Sequence, residues 1–154
     1  MSTESQPTCV TEYLSEDHRR LDAILSEALL LTEQPATVAD AARRFGQFRS
    51  GLLRHIEIEE QILFPAFEEA TGMSGGGPTM VMRMEHKSIR ELLDRIDGAL
   101  ARGEGSEASW GIEELVDLMG GHNGKEEHVL YPMSDEIAGD ADARAALVAR
   151  MRRS

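Results

Sequence analysis

The two halves of this chain carry the same set of histidine and glutamate residues at the same spacing. The set comprises His18, His55 and Glu59 in the first half and His86, His122 and Glu126 in the second half. Corresponding residues lie 67 or 68 positions apart. Because imidazole and carboxylate groups are common metal ligands, a repeat of this kind predicts one metal site built by two equivalent halves.

Apolar residues recur every three or four positions in four long stretches, which predicts four helices separated by glycine-rich or proline-containing breaks. The predicted helices run from about 10 to 32, 38 to 70, 80 to 102 and 107 to 137, and a short one follows from about 140 to 151. The connections are short, so the sequence predicts an all-α fold, an up-down-up-down four-helix bundle with a short C-terminal helix packed outside it. We expect residues 1–9 to form a flexible N-terminal tail and residues 10–154 to form one domain.

All six repeated residues fall on the apolar faces of the predicted helices, where a bundle normally places leucine or valine. An unpaired buried carboxylate costs several kcal/mol, which is comparable to the whole stability of a domain. No lysine or arginine falls on these faces to neutralise Glu59 and Glu126. The sequence therefore predicts a bound metal cation, with neutral imidazoles completing its coordination.

The number and type of these ligands favour two metal ions. Residues four positions apart share a helix face, so each His-x-x-x-Glu pair can reach one centre, completed by the lone histidines of the first and third helices. Two iron ions could each take two histidines, share the two carboxylates and carry a bridging oxo or hydroxo group. This donor set suits iron, with manganese or zinc as lesser candidates, since zinc usually takes four ligands in one tetrahedral site. The Glu-x-x-His pattern of ferritin-like di-iron bundles does not fit.

The motif His…His-x-x-x-Glu…His…His-x-x-x-Glu, closed by Phe-Pro and Tyr-Pro, resembles the hemerythrin-like HHE cation-binding domain family over about residues 10–137. The resemblance implies a hemerythrin-like four-helix bundle domain with a non-haem di-iron centre. It also implies these ligands: His18, His55, Glu59, His86, His122 and Glu126. Oxygen-carrying hemerythrins have a further histidine where this chain has Arg90, which counts against reversible oxygen transport. Iron-centre repair proteins add an N-terminal cysteine-bearing domain, which we do not expect because 17 residues precede His18.

Charge and composition exclude several classes of partner. The net charge of −12 disfavours nucleic acid and anionic membrane surfaces. The single cysteine, Cys9, rules out an intrachain disulfide or a CxxC metal site, and we expect its role to be incidental. We expect a cytoplasmic protein, because the sequence shows neither a signal segment nor an apolar run of membrane length.

Three functions remain open at this point. The first is a di-iron protein that binds or reacts with a small oxidant (oxygen, peroxide or nitric oxide) at open iron positions, as an enzyme or as a sensor, with a redox partner left undefined. The second is a non-catalytic protein that binds or donates iron. The third is a metal-stapled interaction module.

Several neighbours of the motif receive weaker expectations. The carboxylates expected on a solvated face are Glu57, Glu60 and Glu127. His128 is expected at the surface, and Tyr13 and Tyr131 are expected in the core or at its rim rather than as radical sites. Gly120, Gly121 and Gly124 flank a ligand histidine inside a helix, which fits either an open channel, a helix distortion or tight helix packing. Pro65 and Pro132 predict a bend at the end of the second and fourth helices.

Overall fold

A computed structural model describes residues 6–154, in which the regular elements are helices and no β-strand occurs. The α-helices are α1 (Val10–Leu31), α2 (Val38–Ile58), α3 (Phe64–Thr71), α4 (Pro78–Ala101), α5 (Gly105–Lys125), α6 (Tyr131–Ala138) and α7 (Ala141–Arg152). A short 3₁₀ turn, Pro35–Thr37, precedes α2. The predicted all-α class is confirmed. Residues 1–5 of the predicted tail lie outside the described residues.

Two π-helical segments join α2 to α3 and α5 to α6 without interrupting the helix. The first π segment is Glu59–Leu63 and the second is Glu126–Leu130, so each begins at a predicted ligand. The backbone N–H that follows each segment bonds the carbonyl of its first residue, five positions back. Pro65 and Pro132 come next, and because a proline ring clashes with the carbonyl four residues earlier, the wider turn accommodates them. The second and fourth long helices thus run continuously over residues 38–71 and 105–138.

The four long helices are α1, residues 38–71, α4 and residues 105–138, and they enclose two separate apolar cores. The larger core, around Phe45 and Phe48, joins the last turns of α1 and α4 to the first turns of α2 and α5. The smaller core, around Phe64 and Phe67, joins the opposite ends of these helices. Each of the four repeated histidines lies in sequence between a member of one core and a member of the other, so the histidines occupy the layer between the cores.

The beginning of α1 is tied to α6 through a carboxylate. Asp135, which is buried, accepts hydrogen bonds from the backbone N–H groups of Val10 (2.8 Å) and Thr11 (3.0 Å) and from the Thr11 hydroxyl (2.6 Å). A carboxylate at this place satisfies unpaired amides of the first turn and stabilises the helix dipole. Cys9, just before α1, is partly buried, and burial raises the pKa of its thiol.

The shorter helix α7 contacts α1 and α6. Its Val148 and Met151 are buried against them. Within residues 6–154, no helix has the length and apolar character that crossing a bilayer requires.

Candidate metal centre

The structure brings the six predicted ligands together in the layer between the two cores, and none of them is more than 3% exposed. Their ligand atoms form two overlapping groups, each contained within 4.8 Å. One group is Glu59, His86, His122 and Glu126, and the other is His18, His55 and Glu126. Because Glu126 belongs to both groups, the two groups meet at one carboxylate.

All four imidazoles direct Nε2 toward the two glutamates. The Nε2–Oε1 distances are 3.2 Å for His18 and 3.3 Å for His122 to Glu126, and 3.2 Å for His86 and 3.6 Å for His55 to Glu59. Among the described residues, Glu59 Oε1, His86 Nε2 and Glu126 Oε2 are buried without a hydrogen-bond partner. Buried lone pairs that face one another without a donor are unfavourable unless a cation accepts them. The donor set therefore fits a metal ion.

Each imidazole also contacts a carboxylate through its other nitrogen, Nδ1. The pairs are His18 with Glu127 (3.2 Å), His55 with Asp17 (2.8 Å), His86 with Glu60 (2.9 Å) and His122 with Glu85 (2.9 Å). A carboxylate at Nδ1 holds the proton there, which fixes the ring and leaves the Nε2 lone pair free for a metal. The four outer carboxylates follow the sequence repeat: two of them directly precede the lone histidines, and two directly follow the ligand glutamates.

The expectation that Glu60 and Glu127 lie on a solvated face was wrong. Their side chains are only 21% and 31% exposed, and they contact the imidazoles of neighbouring helices. A residue next to the buried face borders the adjacent helix, so a side chain as long as glutamate reaches across. Glu57 and His128 are exposed, as expected.

A seventh side chain, Tyr131, reaches the centre, and the sequence analysis missed it. It is completely buried. Its hydroxyl lies 2.6 Å from Glu59 Oε2, 3.0 Å from Glu126 Oε1, 3.1 Å from His18 Nε2 and 3.3 Å from His55 Nε2. A phenol carries one proton, and the shortest contact shows that Tyr131 donates it to Glu59.

Tyr131 breaks the two-fold symmetry of the site. Its counterpart in the repeat is Phe64, which stacks on His86 with ring centroids 5.5 Å apart and has no hydroxyl. The hydroxyl therefore contacts Nε2 of His18 and His55, whereas His86 Nε2 has no hydrogen-bond partner among the described residues. The sequence could have indicated this asymmetry, because the aligned aromatic residues before the two prolines differ only by this hydroxyl.

The metal-free centre neutralises its carboxylates with protons. Burial lowers the pKa of His55, but Glu59, Asp17 and Glu126 together outweigh burial and raise that pKa to about 10. Burial likewise lowers the pKa of His122, and Glu126 raises it to about 9. Burial raises the pKa of Glu59, whereas the His55 charge holds it well below its usual range. A metal ion must therefore displace these protons when it binds.

Arg90, at the position where oxygen carriers have a further histidine, does not supply a ligand atom to the centre. Its Nη2 donates a hydrogen bond to Glu60 Oε1 at 2.9 Å. Glu60 in turn contacts His86 through Oε2. Arg90 thus supports the carboxylate that orients a ligand.

A cleft of about 410 Å³ opens between α1 and the fourth long helix, beside the centre. Its lining includes Asp22, Ser26, Met119, Gly120, Asn123, Gly124 and Glu127. A Cβ atom built on Gly120, Gly121 or Gly124 would meet nothing within 4 Å in the described part of the chain. Tight helix packing is therefore the wrong explanation for these three glycines.

Comparison with known proteins agrees with this geometry. The family model described as "Hemerythrin HHE cation binding domain" matches residues 9–134. The iron-sulfur cluster repair protein YtfE of Enterobacter sp. (strain 638) is 28% identical over 144 residues, which cover 85% of this chain and 64% of that protein. The proteins of the same name from Edwardsiella ictaluri (strain 93-146) and Yersinia pestis are 33% identical over 99 residues and 29% over 108. Those matches cover 59% and 65% of this chain and 45% and 49% of the relatives.

The chain thus spans between about half and two thirds of the length of these relatives. No solved structure matches the chain significantly.

Proposed function

The chain belongs to the hemerythrin HHE cation binding domain family, and from that premise we propose that it is a non-haem di-iron protein that binds or reacts with a small oxidant. The oxidant class is oxygen, peroxide or nitric oxide. One observation carries the proposal: two overlapping, fully buried groups of imidazole and carboxylate atoms share Glu126. Such a centre would hold two ions side by side, within reach of one small molecule.

The residues divide naturally between two ions. The ligands proposed are His18 and His55 for one ion, His86 and His122 for the other, and Glu59 and Glu126 for both, with an oxo or hydroxo bridge. Six nitrogen and oxygen ligands suit iron, while manganese or zinc remain lesser candidates. When bound, the iron pair would supply electrons and Lewis acidity at its open positions.

The protein groups around the centre orient the ligands. The outer carboxylates hold the imidazoles and increase their basicity. Tyr131 holds a proton within the ligand set, 2.6 Å from Glu59 Oε2. In the metal-free protein, burial and then the charges of Glu126 and Glu59 raise the pKa of Tyr131 well above its usual range, so the phenol remains protonated.

Arg90 favours reaction or sensing over reversible oxygen transport. Its guanidinium bonds Glu60 on the partly exposed side of His86 and leaves the ion in that half without the further histidine of the oxygen carriers. The proposed centre therefore keeps open positions that the oxygen carriers fill.

We also propose the helix order expected from the sequence, an up-down-up-down four-helix bundle with α7 outside it. The two cores support it. The starts of α1 and α4 share one core with the ends of the second and fourth long helices, and the opposite ends share the other core.

Iron donation is the second candidate function. It is favoured by the printed name of the relatives, iron-sulfur cluster repair protein, which describes those longer proteins. The two functions differ in outcome, because a donor releases iron to an acceptor without consuming an oxidant.

The first test is metal content. After anaerobic loading with ferrous iron, elemental analysis should find about two iron ions per chain, as the ligand count requires. Glu126→Ala should lose most of this iron, because both groups of ligand atoms contain Glu126. Glu136→Ala is the matched control, since Glu136 is exposed. Iron near zero in the wild-type chain, or equal iron in both variants, would refute the di-iron proposal.

The second test separates the functions. The reduced, loaded protein is mixed with oxygen, peroxide or nitric oxide under stopped-flow absorbance. Turnover indicates an enzyme, a reversible spectral change indicates a sensor, and transfer of iron to a chelating acceptor without any response to oxidant indicates a donor.

A further inference from the structure

The cleft beside His18 is lined in part by residues whose counterparts in the other half of the repeat are larger. The positions of Gly120, Asn123 and Gly124, shifted by 67 residues, are Leu53, Ile56 and Glu57. Ile56 is fully buried in the larger core. The other half therefore has larger side chains at the positions where the fourth long helix leaves space, and one of them, Ile56, is buried. A glycine inside a helix is less stable there than alanine, and these glycines gain no packing contact in return.

The charge of the cleft also differs from the charge at the corresponding positions in the other half of the repeat. The repeat aligns Asp22 with Arg90, 68 positions later. Arg90 bonds Glu60, whereas Asp22 lines the cleft together with Glu127, the counterpart of Glu60. Two carboxylates therefore face one cleft, where the other half has a carboxylate paired with a guanidinium.

Asn123 supplies an independent observation. It is 6% exposed, it lines the cleft, and its Oδ1 has no hydrogen-bond partner among the described residues. A buried amide oxygen without a donor destabilises the folded protein. Such an atom calls for a ligand that accepts its lone pair. A cation accepts this lone pair. The neighbouring carboxylates of Asp22 and Glu127 also offer oxygen atoms that can bind a cation.

We propose that the cleft is the path by which divalent metal ions enter and leave the centre, with Asp22, Asn123 Oδ1 and Glu127 holding the ion on the way. The proposal rests on the metal-binding function proposed above. Glu127 connects the two sites, because the carboxylate that lines the cleft also contacts Nδ1 of His18 at 3.2 Å. Oxygen ligands bind a first-row cation less tightly than the imidazoles behind them, so the ion moves inward.

The charges distinguish this path from a route for a neutral oxidant. A diatomic molecule needs only an open apolar channel, and carboxylates would add nothing to its entry. For a cation, a cleft lined by one sign of charge raises the rate of association by about 10-fold to 1000-fold, and salt weakens the effect.

The test is the rate at which the metal-free full-length chain takes up Co²⁺, followed by stopped-flow absorbance. Asp22→Asn should slow uptake on the order of 5-fold to 10-fold and reduce its dependence on salt, because it removes one of the two charges. Glu16→Gln is the matched control, since it removes one exposed charge from the same helix away from the cleft, and it should leave the rate unchanged.

A second pair of variants tests whether metal uptake requires the open space beside the glycines of the cleft. The double variant Gly120→Leu/Gly124→Leu should slow uptake, whereas Gly121→Leu, on the same helix but not in the cleft lining, should not. All variants should reach the wild-type final stoichiometry, because none of the six proposed ligands of the metal centre has changed.

The outcomes separate the two proposals. Full final loading, with Asp22→Asn no slower than Glu16→Gln, would overturn the metal path and leave the metal centre intact. The metal path is also overturned if the glycine variants slow only the reaction of the loaded protein with nitric oxide or peroxide. A wild-type chain that takes up neither Co²⁺ nor iron would overturn the proposed function and the path with it.

Discussion

Replacing Tyr131 with phenylalanine should destabilise the metal-free protein much more than the metal-loaded protein. The substitution makes the two halves of the repeat identical at this position, since Phe64 is the counterpart. It removes the proton donor that lies 2.6 Å from the buried carboxylate of Glu59. In the metal-free state that oxygen then remains buried without its donor.

The size of the effect follows from the charge of the acceptor. Hydrogen bonds to charged groups contribute about 1.5–3 kcal/mol to stability. In a domain of this size each kcal/mol changes Tm by about 2–4 °C, so the metal-free variant should melt about 3–12 °C lower. In the loaded protein the metal neutralises Glu59, and we expect a loss below about 1 kcal/mol.

The assay is thermal unfolding of the chelator-treated and the iron-loaded protein. Tyr13→Phe is the control, because the Tyr13 hydroxyl has no hydrogen bond within the described residues while its ring packs on the smaller core. If Tyr131→Phe lowered Tm no more than Tyr13→Phe in the metal-free state, or equally in both metal states, the role assigned to the hydroxyl would be refuted.

Two further predictions concern pH and helix capping. The pKa values of His55 and His122 are raised on folding, so their stabilisation of the metal-free protein is full below pH about 6.5 and is lost as pH rises through about 9 to 10. Urea unfolding with chelator present should show this loss, and stability that stays constant over this range contradicts it. Asp135→Ala removes the acceptor of two buried amides and should cost about 1–3 kcal/mol in the same assay, whereas Glu136→Ala, at an exposed position, should cost less than about 0.5 kcal/mol.

Helix boundaries were predictable from the sequence because periodicity and breakers act locally. The four long helices begin and end within two residues of the predicted positions. The π segments were not foreseen. Pro65 and Pro132 indicated a disturbance of the helix, but a bend and a widened turn both relieve the same proline clash.

The six candidate ligands were recognisable because burial makes a histidine or glutamate conspicuous on an apolar face. Tyr131 was not, since periodicity places a tyrosine ring in a core without showing where its hydroxyl ends. Glu60 and Glu127 were misplaced because their position depends on the neighbouring helix. The role of the glycines around His122 was also unpredictable from the sequence. A channel and tight helix packing differ only in whether another helix lies against the glycines.

The four contacts between imidazole Nδ1 and carboxylate also have a mechanical consequence. They join the second long helix to the first, the first to the fourth, the fourth to the third and the third to the second, so the links close into a hoop. Each link fixes how two neighbouring helices are rotated about their own axes. Three links would orient all four helices, so the fourth is redundant. After the loss of any single contact, the other three therefore still orient the four helices. With all four contacts present, one helix cannot rotate without straining the contacts on both of its sides.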